Sequence, residues 1–111
     1  MKRGEIWTIA GGNDYASEPR PAVIVQDDRF LEKDSVSACG LTTDLTQADI
    51  FRITIEPAPG NGLRHRSQIM ADKVTTIPRE MLGHRIGALS SPEIVRLNRA
   101  ILIFLGLASN S

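Results

Sequence analysis

Arg20-Pro21-Ala22-Val23-Ile24-Val25-Gln26 is the stretch on which the fold turns. Its run Ala22-Val23-Ile24-Val25 is too continuously apolar for a strand with one wet face, so Pro21 to Gln26 reads as a central strand buried on both sides. Pro21 has no N–H to offer a neighbouring strand and is expected at the strand's first position. Upstream, Gly4 to Ala10 carries Ile6, Trp7, Thr8 and Ile9 and reads as a first strand. Gly11-Gly12-Asn13-Asp14 breaks it and opens a polar loop that runs to Pro19.

Downstream, Ser35 to Thr43 and Ile50 to Glu56 hold alternating or β-branched patterns on either side of the polar stretch Asp44 to Asp49. They are predicted to be consecutive antiparallel strands. Pro57-Ala58-Pro59-Gly60-Asn61-Gly62 can only be a turn or a rigid loop. Ser67 to Ile77 alternates again, with a slip that predicts a bend, and a helical turn is expected over Arg79 to Leu82 after Pro78. The period then changes: Ile94, Leu97, Ile101 and Leu105 share one helical face. Ser90 or Ser91 can cap this helix, Ser90 and Glu93 have capping-box spacing, Pro92 fits the first turn and Gly106 supplies a stop. The residues therefore describe a mainly β (α+β) chain, a small and strongly bent antiparallel sheet or barrel with a C-terminal α-helix.

The bulk properties narrow the class. At 111 residues, 41% hydrophobic and 23% charged, the chain is expected to be one domain spanning 1–111, with a real core and no disordered or fibrous character. The single cysteine, Cys39, lies in an apolar stretch and reads as a buried reduced thiol. No signal-peptide pattern follows Lys2 and Arg3, and the apolar stretch Ile101 to Leu107 is far short of the roughly 20 residues of a membrane span, so a soluble cytoplasmic protein without membrane association is expected. The net charge of +0 conceals a split: Met1 to Pro59 has 6 basic and 10 acidic residues, and Gly60 to Ser111 has 7 and 3. A compact fold can turn such a split into one phosphate-attracting face.

Six pieces of sequence, taken in order, resemble the MazF/PemK toxins: Met1 to Trp7, Arg20 to Val25, Leu41-Thr42-Thr43, Asn61-Gly62-Leu63 followed by Ser67, Asp72 to Ile77, and Ile86 to Leu89. They span nearly the whole chain. The resemblance implies an SH3-like barrel and a homodimeric, metal-independent endoribonuclease of a type II toxin-antitoxin system. Its partners would be single-stranded RNA, mRNA above all, and a cognate antitoxin whose C-terminal segment inhibits it. No cofactor is expected.

The resemblance also assigns residues. Arg20 matches the catalytic arginine of the family's Arg-Pro pair, and the chemistry suits it. Attack of a ribose 2′-OH on phosphorus builds negative charge on the non-bridging oxygens, which a planar fork of donors can grip. A guanidinium is too weak an acid to serve readily as a base. Thr42 matches a threonine that helps hold the scissile phosphate. Asp72 matches a general base of PemK-like members, although Met70 stands where those members place a second arginine and no histidine occurs between Gly11 and Pro19. RNA contacts are expected at Glu18, Thr43, His65, Ser67 and Gln68.

His65 and His84 invite an acid–base pair, the work for which imidazoles are commonly used, but the family places no catalysis at either. His65, between Arg64 and Arg66, is expected to contact RNA. No cluster of His, Cys and carboxylates has metal-ligand spacing. Two other readings are a gyrase-inhibiting toxin of the related CcdB class and a non-catalytic SH3-like binding module. The first needs a tryptophan in a C-terminal tail, whereas the one tryptophan here is Trp7. The second should leave RNA intact.

Overall fold

The computed structural model describes residues 1–10, 19–47 and 50–109; the polar loop expected after the first strand falls outside them. Six strands form one antiparallel sheet: β1 (Glu5–Ile9), β2 (Arg20–Ile24), β3 (Ser35–Thr42), β4 (Arg52–Ile55), β5 (Ser67–Pro78) and β6 (Leu82–Ala88). Their spatial order is β4-β5-β3-β2-β1-β6, and a single long helix, α1 (Ser91–Phe104), follows the last strand. The mainly β class with a C-terminal helix is as the sequence reads.

β2 is central, between β1 and β3, and its side chains feed two cores. Val23 joins Ile6, Cys39, Leu41, Ile53, Ile55, Ile69, Ala71, Leu97 and Ala100 on the side that α1 covers. Ala22 and Ile24 join Leu31, Val36, Ala38 and Ile77 on the other. Burial on both faces is why this strand shows no polar alternation. Pro21 stands second, not first: Arg20 opens the strand opposite Ile9, and Pro21 pairs with Thr8.

β3 and β4, expected to be neighbours, are separated by β5, which pairs with both. The 12-residue β5 is long enough to run along the full length of β3 and then hold β4 with its first residues. It does so by bending. Cys39 faces Val74 and Leu41 faces Ile69, so Met70 to Lys73 on β5 lie against the lone Gly40 of β3. This bulge is the predicted slip in the pattern, and it wraps the sheet around the first core.

β6 is the element that the sequence reading passes over. Gly83 and Gly87 depress its strand propensity, yet both are required by close approach. A Cβ on Gly83 would lie 2.2 Å from Thr8 Oγ1, and one on Gly87 would lie 2.4 Å from the Asn61 carbonyl carbon. The second contact belongs to the loop between β4 and β5. The sheet's edges, β4 and β6, are not paired with each other among the described residues, so the barrel is open. The loop spans the opening: Ala88 N donates to Gly60 O at 2.9 Å. Buried Asn61 holds the loop together, accepting from Ala58 N and Leu63 N and donating to Glu56 O.

The helix follows its local signals. Ser90 caps it, the capping box with Glu93 is complete, Pro92 lies in the first turn, and Gly106 takes a φ of 77° just past the end. Leu97 and Ala100 are buried, with Ile94 and Ile101 packed beside them. Val95, Leu102, Leu105 and Leu107 are exposed. Among the described residues, no helix is long and apolar enough to cross a membrane.

Candidate active site

Arg20 sits at the outer end of the β1–β2 ladder and is exposed. The buried half of β2 anchors its backbone, so the side chain starts from a rigid point. Two cavities meet there. One, of about 320 Å3, is lined by Arg20 itself with Lys73 and Thr75 around an apolar floor that includes Ala22, Gly40 and Met70. The other, of about 570 Å3, reaches Pro19 and Pro21 and is lined by Thr43, Ser67, His65 and His84. The Arg20-Pro21 pair thus forms the ridge between them.

Thr42 ends β3 opposite Gln68, half-buried. Its Oγ1 accepts a hydrogen bond from Asp44 N at 3.0 Å, which leaves the hydroxyl proton available to donate. Thr42 lines neither cavity, whereas its exposed neighbour Thr43 lines the larger one. Ser67 is buried at that cavity's wall, and its hydroxyl donates to His65 O at 2.9 Å, setting the backbone that presents His65.

Gln68, expected as an RNA contact, is 3% exposed and has another task. Its Oε1 accepts from Thr46 N at 3.0 Å and its Nε2 donates to Thr46 O at 2.7 Å. Both ends of the amide clamp the segment after Thr43, so Gln68 positions that segment. Glu18 lies outside the described residues.

Asp72 lines neither of these cavities. Its carboxylate accepts two hydrogen bonds from Arg52, Nε at 2.7 Å and Nη2 at 3.1 Å, with both side chains 15% exposed. That partner, Arg52, is the residue that pairs with Met70 across the sheet. These hydrogen bonds hold the Asp72 carboxyl below its ordinary value of 3.8, against the opposing effect of burial. A carboxylate so held accepts a proton poorly.

The sign of the linkage follows. A depressed folded-state value gives stability that is present above about 3.8 and lost as pH falls below it. Asp72→Asn should therefore be destabilised relative to the unmodified chain at neutral pH, and the gap should close on acidification. Melting temperatures of both chains across that range check this; a gap that stays constant contradicts it.

His65 and His84, set aside in the sequence, converge on one cavity from the β4–β5 loop and from β6. Only the fold joins them. Cys39 is fully buried, and burial pushes its thiol up to about 11, so it is un-ionised at neutral pH. Among the described residues, no group of three His, Cys, Asp or Glu is placed to hold a metal ion.

A family model described as the PemK-like, MazF-like toxin of type II toxin-antitoxin systems matches residues 2–105. A protein of Mycolicibacterium smegmatis described as a probable endoribonuclease MazF is 49% identical over 108 residues, covering 97% of this chain and 99% of its own length. Endoribonuclease MazF9 of Mycobacterium tuberculosis is 29% identical, covering 98% and 99%. Among solved structures, an endoribonuclease in complex with its cognate antitoxin from a mycobacterial species shares the fold with a TM-score of 0.77 at 23% identity, covering 98% of each chain. A MazE-MazF complex from Deinococcus radiodurans does so at 0.78 and 14% identity, covering 97% of each.

Proposed function

The chain belongs to the PemK-like, MazF-like toxins of type II toxin-antitoxin systems, and on that premise we propose that it is an endoribonuclease that cuts single-stranded RNA, mRNA in particular, at specific sequences and so halts translation. The observation that carries this on the chain's own residues is the placement of Arg20, an exposed residue at a rigid strand end that lines the smaller cavity next to Pro21, which lines both. A phosphodiester laid across that ridge would put its non-bridging oxygens at the guanidinium and its flanking nucleotides over the cavities. The hydroxyls of Thr42 and Thr43 add neutral donors on the β3 side, with Thr43 and His65 contacting the RNA.

The nucleophile in this reading is the substrate's own 2′-OH. It attacks the adjacent phosphorus, the bond to the 5′-oxygen breaks, and a 2′,3′-cyclic phosphate and a 5′-OH remain. Arg20 stabilises the charge built on the phosphoryl oxygens. No resident metal is needed, since the attacking group is part of the substrate. Incubating the chain with a long RNA in EDTA, then mapping cut sites and end groups, tests this. Discrete cuts with cyclic or 3′-phosphate ends are expected; intact RNA, as a plain binding module would leave it, rejects the reading.

We extend the proposal to assembly. A single small barrel offers little concave surface for several nucleotides, and α1 leaves Val95, Leu102 and Leu105 in solvent, so a homodimer with RNA held along the subunit junction fits the chain. Two relatives of this fold were solved with their antitoxins. A cognate antitoxin whose acidic C-terminal segment folds across the cationic groove would compete with RNA. Light scattering at micromolar protein reads the first statement, and cleavage with added antitoxin reads the second.

A further inference from the structure

A 2′-OH nucleophile must lose a proton and the departing 5′-oxygen must gain one, and the site as described so far supplies neither transfer. A guanidinium is a poor proton-transfer group at neutral pH, and a threonine hydroxyl is no better. Asp72 lies outside both cavities and is bound twice by Arg52. Among the described residues, the lining of the larger cavity contains no carboxylate. It does contain two imidazoles.

The backbone goes out of its way to present them. β6 pairs Ile9 with Leu82 and Trp7 with Arg85, so two residues, Gly83 and His84, oppose the single Thr8. Thr8 Oγ1 accepts from His84 N at 3.0 Å and pins this bulge, and Gly83 has no Cβ because Thr8 Oγ1 occupies its place. A bulge of this kind re-aims a side chain, here that of His84, toward the cavity. His65 is fixed from the opposite wall by the hydrogen bond from Ser67 to its carbonyl. The described hydrogen bonds of both histidines run through main-chain atoms, and both residues are exposed.

We propose that His65 and His84 are the general base and general acid of the cleavage, one taking the 2′-OH proton as the O2′–P bond forms and the other protonating the 5′-oxygen as the P–O5′ bond breaks. This rests on the ribonuclease reading. The step balances with no metal or co-reactant: one proton enters the site from the 2′-OH and one leaves on the 5′-OH, and the pair ends with its protonation exchanged. Among the described residues, the charged groups around the two rings are cationic or paired. Arg64 shares the cavity wall. Arg66 is held by Glu56 at 2.7 Å, Arg85 by Glu5 at 3.1 Å, and Arg20 stands beyond Pro21. In such surroundings a phosphate is drawn in before any proton moves.

The test uses the full chain, a short oligoribonucleotide spanning a mapped cut site, and the same oligonucleotide with sulfur in place of the 5′-bridging oxygen at that site. The unmodified chain should show a bell-shaped rate against pH. His65→Gln and His84→Gln should each lower the single-turnover rate by roughly 100-fold, the lower range for losing a positioned acid or base, and each should abolish one limb of the bell. Binding of an uncleavable 2′-deoxy oligonucleotide should weaken by no more than about tenfold in either variant, well short of the rate loss, because a proton donor or acceptor acts on the transition state beyond any contact it makes in the bound RNA. Thiolate leaves without protonation, so the sulfur substrate should rescue one variant and not the other, identifying the acid. Rescue of neither, retention of both limbs in both variants, or a rate loss matched by lost binding overturns the assignment. If the unmodified chain cuts no RNA at all, the ribonuclease reading falls first.

Discussion

Arg20→Ala is expected to slow RNA cleavage by roughly 100-fold or more, the scale for removing a preorganised donor from a developing oxyanion. The fold should be untouched. Arg20 is an exposed residue that opens β2, and the strand's buried contacts come from Ala22, Val23 and Ile24. Far-ultraviolet circular dichroism and the melting temperature should therefore match the unmodified chain while the rate collapses. Arg20→Lys should recover little, since an ammonium is a point charge and cannot grip two oxygens in one plane. Thr42→Ala should cost less than Arg20→Ala, because a neutral hydroxyl stabilises an anion more weakly. Full activity in Arg20→Ala would remove the ridge between the cavities from the reaction and with it the reading of the site.

A second substitution belongs to the substrate. One 2′-deoxynucleotide at a mapped cut site, in an otherwise unchanged RNA, should abolish cleavage there and leave cuts elsewhere in the same molecule unaffected. The effect should exceed that of any protein variant, because the attacking atom itself is gone, whereas each side chain only lowers the barrier that atom faces. The internal cuts control for binding and folding. A cut at the deoxy site would mean that water attacks, and the product would then lack a cyclic phosphate. EDTA should change neither result.

How far the sequence could be read depended on the range of the interactions that decide each element. α1 was legible from end to end because Ser90, Glu93, Pro92 and Gly106 act on residues within four positions of themselves. β2 was legible as central because burial on both sides removes the polar alternation from the strand itself. Sheet order was not. Placing β5 between β3 and β4 depends on a bulge opposite Gly40 and on β3–β5 pairings more than 25 residues apart, for which no local pattern exists. β6 was hidden because its glycines answer to Thr8 and Asn61, and a propensity count sees only the weak strand formers.

The site divides in the same way. Arg20 and Thr43 stand at ends of legible strands, and the motifs that flagged them were local. Asp72 carried a family signal, yet its partner came from β4, at a distance that sequence reading had no means to weigh. The two histidines, 19 positions apart and on different elements, became a pair only when β6 returned along β1 and the β4–β5 loop crossed the open seam.

That crossing loop sets how such a toxin could diversify. Residues 58–61 are locked by the Asn61 amide and by the bond from Ala88 to Gly60, with no room even for a methyl group on Gly87. Arg64 and Arg66, just beyond and on either side of His65, are exposed. Changes of side chain at these two positions are cheap for the barrel, whereas an insertion or deletion before them would unfasten its closure. Relatives that part company in the RNA they cut should therefore differ here by the letters of the loop and not by its length.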